Sequence, residues 1–244
     1  MGQGILLSGG NDIDFMIHGV FSYTLFGQEV WITTSHICLF IVVLVLLLFF
    51  IIGGSVFRKA QTIPTGFQNV VEMVVELLDG IVGSTMGEKG KGFRNYVGVI
   101  FIFILVSNIS GLLGLRPPTA DYGVTLPLGL LTFTLVQVNK LRFNSIPSIW
   151  KDLCSPLPPW LPIWAPINVI GEVAVPISLS LRLFANVLSG TVMMALVYGL
   201  LSKVALFWPA VLHVYFDMFS GAIQTYVFCM LTMTYISNAI GDNA

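Results

Sequence analysis

Arg182 is a basic residue in the middle of a long apolar stretch. Between Val173 and Leu201 it is the only side chain with a positive charge. A charge at the centre of a bilayer costs about 2.5–3.5 kcal/mol on insertion scales, and a guanidinium cannot lose its proton to avoid that cost. This residue therefore predicts a function that requires a permanent positive charge within the membrane.

Polar side chains accompany Arg182 at helical intervals. Those of its own segment recur four and three residues apart and so share one helix face: Ser178, Arg182, Asn186 and Ser189. The last apolar segment carries a second polar stripe, which includes Asp217 and Gln224. Two such faces predict a hydrated cavity or an ion relay, because isolated polar groups in lipid would lack partners. Glu172 precedes Arg182 by about 15 Å of helix, too far to neutralise it directly.

The composition is that of an integral membrane protein. Of the 244 residues, 56% are hydrophobic and only 9% are charged, and the mean hydropathy is +0.90. Soluble domains carry about 25% charged residues. The net charge of −1 argues against a nucleic-acid partner, which requires a basic face, so membrane lipid is the expected environment.

Metal-binding and redox motifs are weak in this sequence. The cysteines form no CxxC motif and are expected to pack as small apolar residues: Cys38, Cys154 and Cys229. His213 and Asp217 stand four residues apart and could bind one metal, but two ligands without a third rarely form a site. We therefore predict neither a metal nor a cofactor.

Five hydrophobic segments are long enough to cross a membrane, for which about 20 apolar residues are needed. They are residues 36–57, 96–115, 122–139, 166–203 and 206–240. The last two exceed the thickness of a hydrocarbon core of about 30 Å, so we expect them to be strongly tilted or partly interfacial. The prediction is an all-α polytopic membrane protein, a single membrane domain over residues 1–244 with an outer N-terminal segment at residues 1–35.

Residues 64–85 have the pattern of an amphipathic helix. Acidic residues mark one face: Glu72, Glu76 and Asp79. Apolar residues line the other: Val71, Val74, Val75, Leu78 and Val82. The segment is too polar to span, and its acidic face disfavours anionic lipid, so we expect it to pack on a partner or on the other helices.

The basic residues predict the orientation of the chain. Eight of them fall in the first and third loops between spans: Arg58, Lys59, Lys89, Lys91, Arg94, Lys140, Arg142 and Lys151. Only Arg116 and Lys203 fall in the alternate loops. Basic loops stay on the inner side, so the N-terminus is predicted outside, the C-terminus cytoplasmic, and residues 64–85 on the inner surface.

Several functions remain open from these residues alone. The polar stripe could belong to a stand-alone secondary transporter or channel, although no internal repeat is visible. A purely structural membrane subunit would leave Arg182 unexplained. Each polar residue also has a structural alternative: Thr191 could serve interhelical packing, Glu172 a structural ion pair, and Arg182 a pair with Asp217.

The run Ser178-Leu-Ser-Leu-Arg182-Leu-Phe-Ala-Asn186, followed by Ser189-Gly190, closely resembles the signature of subunit a of the bacterial F-type ATP synthase. Other matching runs occur in the family's order: Ser107-Asn108, Thr119-Ala-Asp121-Tyr-Gly-Val-Thr125-Leu, and Phe219 to Tyr235. The resemblance covers the chain from about Phe15 to Asn238. It implies a non-catalytic stator subunit of the membrane motor in the bacterial plasma membrane.

The resemblance also implies partners and an ion path. The long helices would face a ring of c subunits, each with a lipid-buried carboxylate, and the peripheral-stalk b subunits and the rest of the ATP synthase complete the assembly. Arg182 matches the essential arginine that meets the ring carboxylate between two aqueous half-channels. The transported ion would be a proton, with Na⁺ as the open alternative.

The remaining site residues follow position by position from the same resemblance. Asn186 and Gln224 match the family's asparagine and glutamine, and Glu172 and Ser178 match positions of the inner half-channel. Two positions depart from the common pattern: Thr191 stands where many members have Glu, and Asp217 stands where they have His. The titratable group of the outer inlet is therefore expected at Asp217, with Thr191 and Gln224 nearby.

Overall fold

A computed structural model describes residues 19–25, 28–57, 66–113, 116–144, 147–149, 165–200, 211–212 and 214–241. Within these ranges, five helical segments are long and apolar enough to cross a membrane: Thr34–Ser55, Arg94–Leu112, Tyr122–Phe143, Pro166–Val197 and Val214–Ile240. The prediction of an all-α polytopic membrane protein is confirmed for the spans, all five of which are helical.

The helices are α1 (Thr34–Phe57), α2 (Phe67–Met86), α3 (Arg94–Ile109), α4 (Tyr122–Phe143), α5 (Ala165–Leu200) and α6 (Gly221–Ile240). A π-helical turn, Val214–Ser220, leads directly into α6. At the start of α4, the Asp121 carboxylate accepts a hydrogen bond from the Gly123 backbone amide at 2.9 Å, which caps the helix. The helix then runs past the predicted end of the span, residue 139, because Lys140 and Arg142 suit its negative C-terminal end.

A β-hairpin precedes the first span. Strand β1 (Gly19–Leu25) pairs antiparallel with β2 (Gln28–Thr33), and α1 follows at once. From the sequence, this stretch is expected only as part of an outer N-terminal segment, residues 1–35, with no strands. Its β-branched and aromatic residues, such as Tyr23, Val30 and Trp31, favour extended backbone and explain the hairpin.

Helix α2 packs its apolar face onto the other helices. Val71, Leu78 and Val82 are buried, whereas Val75 remains 43% exposed. Val75 was expected on the packed face, but the neighbouring helices cover only part of it. On the polar side, the Arg94 guanidinium forms an ion pair with the Asp79 carboxylate at an N–O distance of 2.8 Å, which ties α2 to the start of α3.

The core lies where α3, α4, α5 and α6 meet. Fully buried side chains from α5 and α6 fill it: Leu179, Leu183, Phe228, Met233 and Ile236. Helices α4 and α5 approach closely at Gly129, where an added Cβ would lie 2.6 Å from the Pro176 carbonyl oxygen. Only glycine permits this approach, so Gly129 sets the spacing of the two helices.

Candidate functional site

Arg182 projects from the outer face of α5. Its neighbours Leu179 and Leu183 are 1% and 0% exposed and point into the core, whereas Arg182 and Ser178 are exposed. None of the described residues forms an ion pair with Arg182. The structural pair with Asp217, considered above as an alternative, is therefore not formed. The guanidinium is accessible to any group that packs against this face of α5.

Asn186 joins the polar stripe of α5 to the turn before α6. Its side-chain oxygen accepts a hydrogen bond from the Ser220 hydroxyl at 3.0 Å. Both side chains are half-buried. The two polar stripes predicted from the sequence therefore do meet, and Asn186 and Ser220 form their point of contact.

Asp217 lies beside this contact, in the π-helical turn. It lines a small cavity of about 10 Å³ together with these residues: Asn108, Pro117, Asn186, Val187, Gly190, Phe216 and Gly221. That volume is roughly the space one water molecule requires. An added Cβ at Gly111 would lie 3.0 Å from the Asp217 carboxylate, so glycine leaves the room that this side chain occupies.

Asn108 supports the same region from α3. Its amide nitrogen donates to the Gly221 carbonyl at 3.1 Å and to the Thr225 hydroxyl at 3.3 Å. Its amide oxygen accepts from the Thr119 hydroxyl at 2.8 Å. All three of its hydrogen bonds are buried, so Asn108 holds the start of α6 against α3 and the turn that precedes α4.

Gln224 and Thr191 occupy different positions. Gln224 is only 8% exposed, and its side-chain nitrogen has no hydrogen-bond partner among the described residues. Buried amide groups are normally bonded, so this one has capacity for water or for a group from outside the chain. The Thr191 hydroxyl donates to the Leu188 carbonyl of its own helix at 2.8 Å, and Thr191 does not line the cavity at Asp217.

Glu172 is bonded to α4. Its carboxylate forms an ion pair with the Lys140 ammonium and accepts a hydrogen bond from the Gln137 amide at 3.2 Å. Ser178, in contrast, is exposed on another face of α5. Residues six positions apart in an α-helix point in directions that differ by about 240° about the helix axis. Glu172 and Ser178, both predicted for the exit, are therefore not brought together.

Comparison with known proteins assigns the family. A family model described as ATP synthase A chain matches residues 36–237. The ATP synthase subunit a, sodium ion specific, of Propionigenium modestum is 35% identical over 201 residues, which cover 76% of this chain and 67% of that protein. The chain belongs to the ATP synthase subunit a family. The ATP synthase subunit a of Limosilactobacillus reuteri is 32% identical over 237 residues, covering 91% of this chain and 97% of that protein.

Membership of the subunit a family confirms the resemblance found in the sequence. The chain is an integral membrane subunit of the F-type ATP synthase, an ion-translocating part of its stator. The roles of the individual site residues within that function remain predictions.

Two residues of this subunit a contact Glu172 although the sequence does not predict them as site residues. Lys140 is predicted only as a basic loop residue, and Gln137 has no predicted role, yet both bond to Glu172. Their spacing of three residues, which puts them on one helix face, was the available signal.

Two further features lie apart from these residues. A groove of about 790 Å³ between the ends of α4 and α6 is lined mainly by apolar residues, with Arg142 among them, and does not include Arg182 or Asp217. No group of three His, Cys, Asp or Glu residues that could hold a metal occurs in the described part of the chain, and His213 lies outside it.

Proposed function

We propose that this subunit passes ions between two aqueous half-channels and the carboxylates of a ring of c subunits, with Arg182 standing between the channels. The observation that carries the proposal is the outward position of Arg182 on a membrane-spanning helix, with no ion pair to the described residues. An unpaired charge in the membrane requires a counter-charge, and a passing carboxylate supplies one.

Arg182 acts through electrostatics. At about 4 Å and an effective dielectric near 20, a guanidinium stabilises an ionised carboxylate by roughly 4 kcal/mol. A ring carboxylate that reaches Arg182 therefore releases its ion. The same positive charge repels a cation that would pass straight from one half-channel to the other, so ion flow is coupled to rotation of the ring.

The outer half-channel is formed around Asp217. Its half-buried position, the small cavity beside it and the contact between Asn186 and Ser220 support this assignment. The Gln224 amide nitrogen has no hydrogen-bond partner among the residues that the structure describes, and it can bind water along the path. Thr191 lies next to the lining residue Gly190 and contributes by its small size.

The inner half-channel includes Ser178 and Glu172 at separate points of the path, on different faces of α5. Glu172 lies near the start of α5, ahead of Arg182, and is half-buried. Ser178 is exposed on the same side of the helix as Arg182 and lies one turn before it. An ion released at Arg182 passes Ser178 first and leaves near Glu172.

The proposal includes the surroundings of the subunit. It lies in a bacterial plasma membrane with the N-terminus outside and the C-terminus cytoplasmic, contacts the c ring and the peripheral-stalk b subunits, and does not itself catalyse ATP synthesis. The proton is the proposed ion. The relative named as sodium ion specific makes Na⁺ the alternative, and the dependence of pumping on Na⁺ concentration separates the two.

Substitution of Arg182 tests the proposed function. In vesicles containing the assembled ATP synthase, Arg182→Ala should abolish ATP-driven ion pumping and raise passive ion conductance. Arg182→Lys should retain little pumping, because a desolvated ammonium can lose its proton. Arg142→Gln is the control, since Arg142 is an exposed basic residue at the end of α4 and should leave pumping intact. Normal pumping by Arg182→Ala would rule out the proposal.

Transport measurements in the same kind of vesicles distinguish the proposed function from the alternative, a stand-alone transporter. Under that alternative, the purified subunit alone would transport ions without the c ring. We expect no transport by the subunit alone, because a ring carboxylate is needed to carry the ion past Arg182.

A further inference from the structure

Helix α4 engages both carboxylate oxygens of Glu172. The Lys140 ammonium forms an ion pair with one oxygen, and the Gln137 amide donates to the other at 3.2 Å. The side chains of Lys140 and Glu172 are 19% and 36% exposed, so the pair is partly shielded from the surroundings. A carboxylate held at both oxygens has little freedom to rotate.

The backbone positions of the two helices fix this arrangement. Gln137 and Lys140 are three residues apart, so they share a face of α4. Gly129 lies slightly more than two turns before Gln137 on α4. It lies against the backbone of Pro176, which sets a close spacing between α4 and α5. At that spacing Lys140 reaches Glu172 across the helix pair.

We propose that Lys140, together with Gln137, positions Glu172 and makes α4 the second wall of the inner half-channel. The inference rests on the proposed function, because it assigns a role within that ion path. Lys140 compensates the charge of the Glu172 carboxylate, so an ion that leaves the ring is guided past Glu172 without being held there. An uncompensated carboxylate in a partly desolvated position would bind the passing cation and delay its release.

The experiment compares single and double variants in the assembled ATP synthase. Lys140→Gln should slow ATP-driven pumping by about fivefold, the effect expected from the loss of a partly buried ion pair. Lys140→Arg should pump at nearly the normal rate because the positive charge is kept. Arg142→Gln removes the same charge two residues further along α4, where it does not contact Glu172, and serves as the matched control.

A double-mutant cycle measures whether the two residues act together. If they do, Lys140→Gln combined with Glu172→Gln should be no slower than the slower single variant, since no uncompensated charge is left. Independent residues would instead show a loss equal to the product of the two single losses, and that result would overturn the proposal. Passive ion conductance is also measured in the membrane sector after its ATP-hydrolysing part has been removed. The variants should rank in the same order by conductance as by pumping, and a purely structural role of the pair would not produce this agreement.

Assembly is quantified for each variant from the amount of this subunit per complex. If Lys140→Gln lowers that amount, the charges are exchanged in the double variant Lys140→Glu with Glu172→Lys. Restored pumping by this double variant supports the proposal, and continued loss of pumping overturns it. A normal rate for Lys140→Gln at normal assembly also overturns it. Arg182→Ala is measured alongside, because its loss of pumping shows that the proposed function holds even where the role of Lys140 fails.

Discussion

At the scale of single residues, Asp217 and Glu172 are two acids with different surroundings. Asp217 adjoins a polar cavity formed with Asn108 and Asn186, which leaves room for water. Glu172 is bonded at both oxygens to Lys140 and Gln137. The first environment suits a group that exchanges an ion with water, and the second suits a charge that stays in place.

Asp217→Asn tests the first of these roles. Asparagine keeps the size of the side chain but cannot carry an ion, so pumping should fall by at least about tenfold, as when a proton-transfer group is lost. Asp121→Asn is the matched control, because the Asp121 carboxylate caps α4, it does not line the cavity at Asp217, and asparagine caps a helix equally well. Rates are measured as ATP-driven pumping in vesicles at equal assembly. An unchanged rate for Asp217→Asn would exclude Asp217 from the inlet.

At the scale of elements, the π-helical turn Val214–Ser220 changes what α-helical spacing predicts. Asp217 and Gln224 were expected on one stripe, two turns apart. Its i→i+5 hydrogen bonds put more residues in each turn, so each residue rotates less about the axis than in an α-helix, and the face of Asp217 shifts relative to that of Gln224. Asp217 lines the cavity with Asn186, while Gln224 is buried in the helix packing. Such turns are rare and often occur at functional sites.

The close contact between α4 and α5 is the second feature at this scale that determines which residues meet. Gly129→Val would place side-chain atoms within 2.6 Å of the Pro176 carbonyl, so the helices must separate. We expect a destabilisation of about 1–3 kcal/mol, seen as a lower temperature at which the subunit dissociates from the purified complex. Pumping should fall as well, because Lys140 would no longer reach Glu172.

Gly171→Ala is the control for this prediction. Gly171 lies on the same helix as Pro176, and an added Cβ there meets no other atom within 4 Å. Alanine in a helix interior is favoured over glycine by roughly 0.5–1 kcal/mol, so the dissociation temperature should stay or rise. Equal behaviour of the two variants would show that the close approach at Gly129 is unimportant.

At the scale of the whole molecule, the orientation in the membrane can be measured with single cysteines. Cys38, Cys154 and Cys229 are first replaced by serine or alanine. Thr24→Cys in the hairpin and Gly92→Cys before α3 then provide exposed thiols at the two predicted sides. A membrane-impermeant thiol reagent added outside should label position 24 only, and position 92 should react only in inverted vesicles. The reverse pattern would contradict the orientation predicted from the basic residues.

The sequence by itself determined the membrane character, the number of long apolar segments and the isolated cation in one of them. These properties depend on local composition, and composition is independent of how the helices pack. The family signature around Arg182 also needed no structure, because its residues are close together in the chain.

Only the tertiary structure decided which polar residues meet. The family resemblance assigned Glu172 and Ser178 to one inner half-channel, but helix rotation turns Glu172 toward Lys140 and leaves Ser178 exposed. Likewise, the cavity at Asp217 requires Asn108 from α3 and Asn186 from α5, which are far apart in the chain. Such contacts depend on the rotation and spacing of whole helices, which are set by close approaches such as Gly129 against Pro176 rather than by any local pattern.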